Sequence, residues 1–129
     1  MHNITKWATP IGRVMLSSIF LLSATMKLMD YSGTEAYMVS MGVSAKLLPI
    51  VIMTEMILPL AVIIGFYTRL AALGLAVFSV MAALSFHFNF SEPMQTVMFM
   101  KDITIAGGFL LLVGQGGGYY SIDQRLGRS

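Results

Sequence analysis

The chain has 129 residues, of which 57% are hydrophobic and only 11% are charged. A soluble domain carries about 25% charged residues, so we predict a single integral membrane domain over residues 1–129. A net charge of +2 from scattered basic residues excludes a nucleic-acid-binding protein. The chain has no cysteine and only two histidines, far apart, so no protein-bound metal or haem is expected.

Four stretches are apolar enough and long enough to cross a bilayer, which takes about 20 residues. Sequence signals for helix ends support them. Thr9 and Ser44 are predicted caps of the first and second spans, and Pro10 is placed in the first turn of its helix. Gly65 is expected to end the second span, and Ser91 to cap the fourth, which stops at a glycine cluster. The predicted spans are about 8–29, 46–65, 68–87 and 93–114.

The link between the first two spans is the longest, and the others are short. Residues from Thr34 onward predict a short interfacial helix with Tyr37, Met38 and Met41 on one side. Short links force neighbouring helices to run antiparallel, so the expected fold is an all-α, up-down bundle of four transmembrane helices. Adjacent glycines at 107 and 108 predict a close helix-packing contact in the fourth span.

The distribution of lysine and arginine predicts the orientation of the bundle. Cytoplasmic loops of membrane proteins carry the excess of these residues, so the side with more of them is expected to face the cytoplasm. The side that holds both termini is the richer one, and we therefore expect both termini in the cytoplasm. Its basic residues are Lys6, Arg13, Arg69, Arg125 and Arg128, against Lys27, Lys46 and Lys101 on the other side.

Glu55 is the most informative residue, because it lies near the middle of the second span. An ionised carboxylate at the bilayer centre costs on the order of 3 kcal/mol or more, so it must be protonated or paired with a cation. Pro59 adds to this, since a proline in a helix cannot bond the carbonyl four residues back, and that carbonyl belongs to Glu55. The freed carbonyl needs another partner in lipid.

Several charged residues are candidates for this partnership. By helical rise Lys101 lies about 7 Å outward of the middle of its span, and Lys27 about 12 Å outward, so Lys101 is the first choice and Lys27 the second. Arg13 can snorkel to the interface or reach Glu55 from the inner side. Asp102 and His87 also fall in the outer half, so one shared polar cavity is predicted. A ligand or proton site and a purely structural ion pair both fit the pattern.

Motifs along nearly the whole chain, about residues 11 to 123, point to one family. They occur in this order: Arg13; Ser23-Ala-Thr-Met-Lys27-Leu28; Tyr37 with Met41-Gly42-Val43; Glu55; Gly65-Phe-Tyr-Thr68-Arg69; Phe86-His87-Phe88; Lys101-Asp102; Gly107-Gly108; and Gly116-Gly-Gly118-Tyr-Tyr-Ser121-Ile-Asp123. This pattern resembles the DoxX family of small bacterial membrane proteins. The chain departs from it at Ala24, where the family often has glycine, and at Asp102, where it often has asparagine.

The resemblance implies a four-helix protein of the bacterial inner membrane and tilts the function toward quinone-linked redox work. In that hypothesis Glu55 exchanges a proton with a quinone oxygen while Lys101 or Lys27 stabilises the anionic form. Lys27, His87, Asp102 and Arg13 are the predicted binding residues. Because the chain has no obvious redox centre, electrons must come from a partner subunit, a bound flavin or a direct quinol donor. Whether the isolated chain is an enzyme stays open. The alternatives are a non-catalytic membrane scaffold or a small, oligomeric proton-coupled carrier.

Overall fold

A computed structural model describes residues 2–86 and 90–127, and these residues form helices joined by turns. Four of the helices are long and apolar enough to span a membrane. The helices are α1 (His2–Met29), α2 (Tyr31–Ser40), α3 (Leu48–Ile64, preceded by a short 3-10 turn at Ala45–Leu47), α4 (Thr68–Phe86), α5 (Pro93–Gln115) and the short α6 (Ile122–Arg125). The predicted all-α bundle of four spans is confirmed.

The four long helices form a ring in which each packs against the next along the chain. Helix α1 packs on α3, α3 on α4 and α4 on α5, and a smaller contact between α5 and α1 closes the ring. Helices α3 and α5 therefore lie diagonally opposite each other. The start of α1, the α3–α4 turn and the C-terminal tail meet at one end, here called the terminal end. The α1–α2 and α4–α5 connections lie at the other, the loop end.

Small side chains allow the helices to approach closely. The buried face of α4 carries Ala71, Ala72, Ala76 and Ala83, and a cluster around Phe20, Leu75 and Phe109 fills the middle of the ring. A side chain at Gly108 would come within 2.8 Å of Leu16, so the predicted close contact is confirmed there. At Gly107 the same expectation is wrong, because nothing lies within 4 Å of the position of its missing side chain.

Most predicted helix ends are close to those in the structure. Ser44 accepts a hydrogen bond from the Lys46 amide, and Gly65 ends α3 with a left-handed φ of 77°. Thr9 is not a cap, because α1 begins at His2 and runs through Pro10. The extra turns are held by contacts outside the helix, since the Trp7 ring lies 4.9 Å from the ring of Tyr120. Similarly, the N-cap of α5 is Glu92 rather than Ser91.

Helix α2 begins three residues before the predicted start, because Asp30 caps it by accepting a hydrogen bond from the Gly33 amide. It packs over the loop end of the bundle rather than standing apart from it. Met38 is buried in a second core cluster with Ala24, Leu48 and Ile52. The Tyr37 ring stacks on Phe86 at a centroid distance of 5.7 Å. Helix α2 therefore ties the ends of α1, α3 and α4 together next to Glu55.

Candidate functional site

Glu55 is buried in the bundle and pairs with a lysine from a neighbouring helix. Its side chain is only 4% exposed, and its Oε1 atom lies 2.6 Å from the Nζ atom of Lys27. The same ammonium donates a second hydrogen bond of 2.7 Å to the hydroxyl of Ser23, one helical turn earlier on α1. Because the Lys27 side chain is 25% exposed, the pair extends from the interior of the bundle toward its surface.

Lys101 was predicted from its depth to be the cation that reaches Glu55, and the structure shows that Lys27 takes this place. Side chains on a helix tilt toward its N-terminus, so the stem of Lys27 on α1 runs toward the middle of the bundle. The stem of Lys101 on α5 tilts the other way, toward the loop end. Lys101 is also exposed, and α5 lies diagonally across the ring from α3. Two residues at a similar depth in the membrane lie close together only when their helices are neighbours, as α1 and α3 are and α5 and α3 are not.

Lys101 instead lies in an open groove of about 420 Å³ on the face of α5. The groove is lined by Thr96, Val97, Met100, Lys101, Thr104 and Ile105. Asp102 is half-buried on the same helix. His87, the other member of the predicted cavity, lies outside the described residues. Among the described members of that set, Glu55 pairs with Lys27, and Lys101 does not join them.

Arg13 is almost fully buried, at 2% exposure, but it is committed to the terminal end of the bundle. Its guanidinium donates hydrogen bonds to the carbonyls of Val62, at 3.1 Å, and Ile63, at 3.2 Å. These are among the last carbonyls of α3, which have no partner within the helix. A third hydrogen bond reaches the Tyr120 carbonyl in the tail. Arg13 therefore caps α3 and does not approach Glu55, about 10 Å farther along that helix.

Asp123, which sequence reasoning did not single out as a site residue, completes this terminal cluster. Its two carboxylate oxygens accept hydrogen bonds of 2.7 Å from the amides of Tyr67, directly before α4, and Thr68, the first residue of α4. It also attracts the Arg13 guanidinium electrostatically. No local signal reveals such a cap, because Asp123 lies more than 50 residues from the amides that it holds. A negative charge at a helix N-terminus is favourable in its own right.

Ser23 is a second residue that the sequence analysis missed, and here a signal existed. It precedes Lys27 by four residues, which places both side chains on one face of α1. The donors and acceptors at Glu55 are one carboxylate, one ammonium and one hydroxyl, a set suited to a ligand that forms hydrogen bonds. Within residues 2–86 and 90–127, no three His, Asp or Glu side chains converge as a metal site would require.

Comparisons with known proteins agree with this architecture. The DoxX family profile matches residues 8–88, a range that includes Arg13, the Lys27–Glu55 pair and the α3–α4 turn. The chain belongs to the DoxX family. This confirms the resemblance drawn from the sequence motifs.

Two relatives in Escherichia coli (strain K12) extend the match of this DoxX protein to nearly its full length. The inner membrane protein YqjF is 43% identical over 128 residues, covering 99% of this chain and 98% of YqjF. The inner membrane protein YphA is 33% identical over 122 residues, covering 89% of this chain and 87% of YphA. No solved structure matches the chain. Family, relatives and four apolar helices together describe a DoxX-family inner membrane protein.

Proposed function

We propose that this protein is a quinone-binding component of a membrane redox system, and that the Lys27–Glu55 pair holds the quinone head group. The observation that carries the proposal is the pair itself. It places a hydrogen-bonding cation and a carboxylate 2.6 Å apart within membrane-spanning helices, with the lysine partly exposed. Ionisable groups inside a membrane protein are functional by default, because burying them costs free energy.

The donors at Lys27 fit a quinone oxygen. An ammonium carries three N–H groups, and two of them are engaged by Ser23 and Glu55. The third can donate to a carbonyl oxygen of a quinone that approaches from the exposed side. Apolar residues flank the pair, among them Ala24 and Ile52, which belong to the loop-end core cluster. An apolar wall with a few polar groups is typical of small-molecule sites.

Each residue of the pair would have its own role toward a bound quinone. The Lys27 ammonium would bind and orient a quinone oxygen and stabilise negative charge on it. The Glu55 carboxylate would hold Lys27 in place and exchange a proton with the ligand. Since the chain has no cysteine to ligate an iron–sulfur cluster, we assign electron transfer to a partner redox protein. The role proposed for this chain is to bind and position the quinone.

The orientation that accompanies this proposal places both termini in the cytoplasm. The terminal end carries Lys6 and Arg125 on exposed or half-exposed positions near the interface, as the positive-inside rule expects. The absence of native cysteine allows a clean test with single cysteines at the exposed positions Gln124, at the terminal end, and Ser32, at the loop end. An impermeant thiol reagent added to intact cells should label Ser32→Cys only. Labelling of Gln124→Cys alone would reverse the orientation.

The quinone content of purified protein tests the proposed function directly. Wild type, Lys27→Met and Glu55→Gln would be isolated in nanodiscs of native lipid, and isoprenoid quinone per protein quantified after extraction. Lys101→Met is the matched control, because it removes an exposed membrane lysine that does not contact Glu55. We expect quinone above the lipid background in wild type and the control, with a several-fold loss in the other two variants.

A charge-swapped variant, Lys27→Glu combined with Glu55→Lys, separates binding from folding. If the pair only stabilises the bundle, the swapped variant should regain the thermal stability that the single variants lose. In that case neither the swapped variant nor wild type should hold quinone above the lipid background. That result, or equal background quinone in every variant, would overturn the quinone proposal and favour the scaffold alternative. The scaffold has an observation in its favour, since the two charges already neutralise each other and fix the register of α1 against α3.

A further inference from the structure

Four buried side-chain polar atoms in the described part of the chain have no hydrogen-bond partner: Arg13 Nε, Ser17 Oγ, Thr68 Oγ1 and Ser79 Oγ. Arg13 and Thr68 belong to the terminal end, where the tail packs. Ser17 on α1 and Ser79 on α4 lie deeper in the bundle, with exposures of 0% and 2%. A buried hydroxyl without a partner is costly, so these two positions require an explanation.

The hydroxyls on the outer surface behave differently. Ser18 donates to the Met15 carbonyl at 2.8 Å, and Thr25 donates to the Leu21 carbonyl at 2.9 Å. A serine or threonine that faces lipid has no other acceptor, and it therefore bonds to its own helix. Ser17 and Ser79 form no such bond, although in an α-helix a carbonyl lies one turn back from every residue. Their hydroxyls are thus available to a partner between the helices.

Helix geometry places both serines close to the depth of Glu55. Counted from the α3–α4 turn at 1.5 Å per residue, Glu55 lies about 14 Å along α3 and Ser79 about 16 Å along α4. Ser17 lies one turn farther from the terminal end than Arg13, whose side chain extends back to the Val62 carbonyl. By the same rise Ser17 is within about one turn of Glu55.

Side chains of the two helices that carry the serines, α1 and α4, also contact each other across the middle of the ring at this depth. The rings of Phe20 on α1 and Phe78 on α4 have centroids 6.1 Å apart. Phe20 follows Ser17 by three residues on the buried face of α1, and Phe78 directly precedes Ser79. Pro59, which is fully buried, adds one more polar group, because it leaves the Glu55 carbonyl without its usual helical donor.

We propose that Ser17 and Ser79 hold water against Glu55 in the interior of the bundle. The four groups supply two hydroxyls, one freed carbonyl and one carboxylate, and a buried water needs two to four such partners. A neutral ligand suits the site better than a cation, because Lys27 already balances the charge of Glu55. Glu55 would then contact Lys27 on its loop-end side and water on its inner side.

The consequence of this hydration rests on the proposed function. Water beside Glu55 would carry away the proton that the ionised carboxylate accepts from a bound quinol as the partner redox protein takes the electrons, so the carboxylate would not depend on a route through the ligand site. The proton would move from the Glu55 carboxylic acid to the water and along it to the aqueous phase, which leaves the carboxylate ionised again. Ser17 and Ser79 are positioning residues in this scheme, because they act through the water.

Water-edited solid-state NMR in bilayers of synthetic lipid tests the hydration without any quinone. The chain has only three glutamates, Glu35, Glu55 and Glu92, so carboxyl-labelled glutamate gives three signals that Glu55→Gln assigns. In wild type we expect the Glu55 carbon to receive magnetisation from water, although this residue is only 3% exposed. In Ser17→Ala/Ser79→Ala the transfer should fall several-fold, while the other two signals stay unchanged.

Ser18→Ala/Thr25→Ala is the matched control, because it removes two hydroxyls that bond to their own helix. It should leave the Glu55 signal as in wild type. If the double variant does not insert into the bilayer, Ser17→Ala and Ser79→Ala are measured separately. Each should lower the transfer of magnetisation from water to the Glu55 carbon by part of the full amount. No transfer to Glu55 in wild type, or equal transfer in the serine variants, would overturn the proposal. A Glu55 signal that shifts when sodium replaces choline would indicate a cation site instead.

If the NMR experiment shows no water at Glu55, the quinone proposal still stands, since quinone content is measured on different variants in native lipid. Conversely, if Glu55 is hydrated but the purified protein holds no quinone, the water site stands and the redox interpretation is wrong. The two inferences can therefore fail separately.

Discussion

The two ends of this bundle use buried charge in opposite ways. At the terminal end, Arg13 and Asp123 each satisfy backbone groups at the end of a helix, and they attract each other. At the level of Glu55, the charges bond to side chains, and the Lys27 ammonium keeps one donor beyond Ser23 and Glu55. A charge that completes a helix end is committed to the fold. A charge held only by other side chains can exchange its partner, and this makes the second region the better candidate for a ligand.

Arg69 shows the same commitment as Arg13. Its guanidinium donates hydrogen bonds of 3.1 and 3.0 Å to the carbonyls of Val113 and Gly114, in the last turn of α5. Arginine suits this task because it is always charged and presents several donors in a fixed fork. The terminal end is thus closed by two arginines at helix C-termini and one aspartate at a helix N-terminus, in keeping with the helix dipoles.

Removing Asp123 should give the largest effect, because it breaks the terminal cluster at its centre. Asp123→Ala removes the carboxylate that accepts from the Tyr67 and Thr68 amides and the counter-charge of Arg13. We expect a loss of about 3–5 kcal/mol in the free energy of unfolding, measured by denaturant titration in detergent micelles. Asp30→Ala is the control, since it removes an exposed cap of a short helix and should cost about 1 kcal/mol. Equal losses in both variants would contradict the assigned role.

Crowding at the terminal cluster predicts the next largest effect. Gly65 and Gly42 both have positive φ, of 77° and 80°, so alanine strains the backbone at either position. At Gly65 the added carbon would also overlap Ser121 and lie 2.5 Å from Arg13, whereas nothing lies within 4 Å at Gly42. Gly65→Ala should lower the melting temperature by an amount equivalent to about 3 kcal/mol, and Gly42→Ala by about 1 kcal/mol. Similar shifts would mean that the tail can move aside.

The smallest effects should come from the Lys27–Glu55 pair, and they should differ between its members. Lys27→Met leaves a carboxylate that is 4% exposed without its counter-charge, so we expect a loss of about 3 kcal/mol or less. Glu55→Gln leaves a lysine that can turn toward the interface, and about 1 kcal/mol is expected. The measurement is the same denaturant titration. A larger loss in Glu55→Gln than in Lys27→Met would show that Lys27 is held in the interior.

The sequence was a good guide wherever the cause of a structure is local. Apolar length predicted the four spans, and Ser44 and Gly65 marked helix ends that the structure confirms. The need for Glu55 to be protonated or paired with a cation also followed from the sequence, since it depends only on depth in the membrane. The start of α1 did not follow from the sequence, because the contact between Trp7 and Tyr120 in the tail extends that helix past its predicted cap.

Glu55, Lys27 and Arg13 show where the sequence alone stops and the tertiary structure decides. The amino-acid order determined that a carboxylate would be buried in the second span and that several cations lay within reach of it. Only the order of helices around the ring and the tilt of side chains along each helix selected Lys27 over Lys101. Asp123 depended entirely on the fold, because a tail more than 50 residues away caps α4. Spans and charges are properties of a segment, whereas partners are properties of the packing between segments.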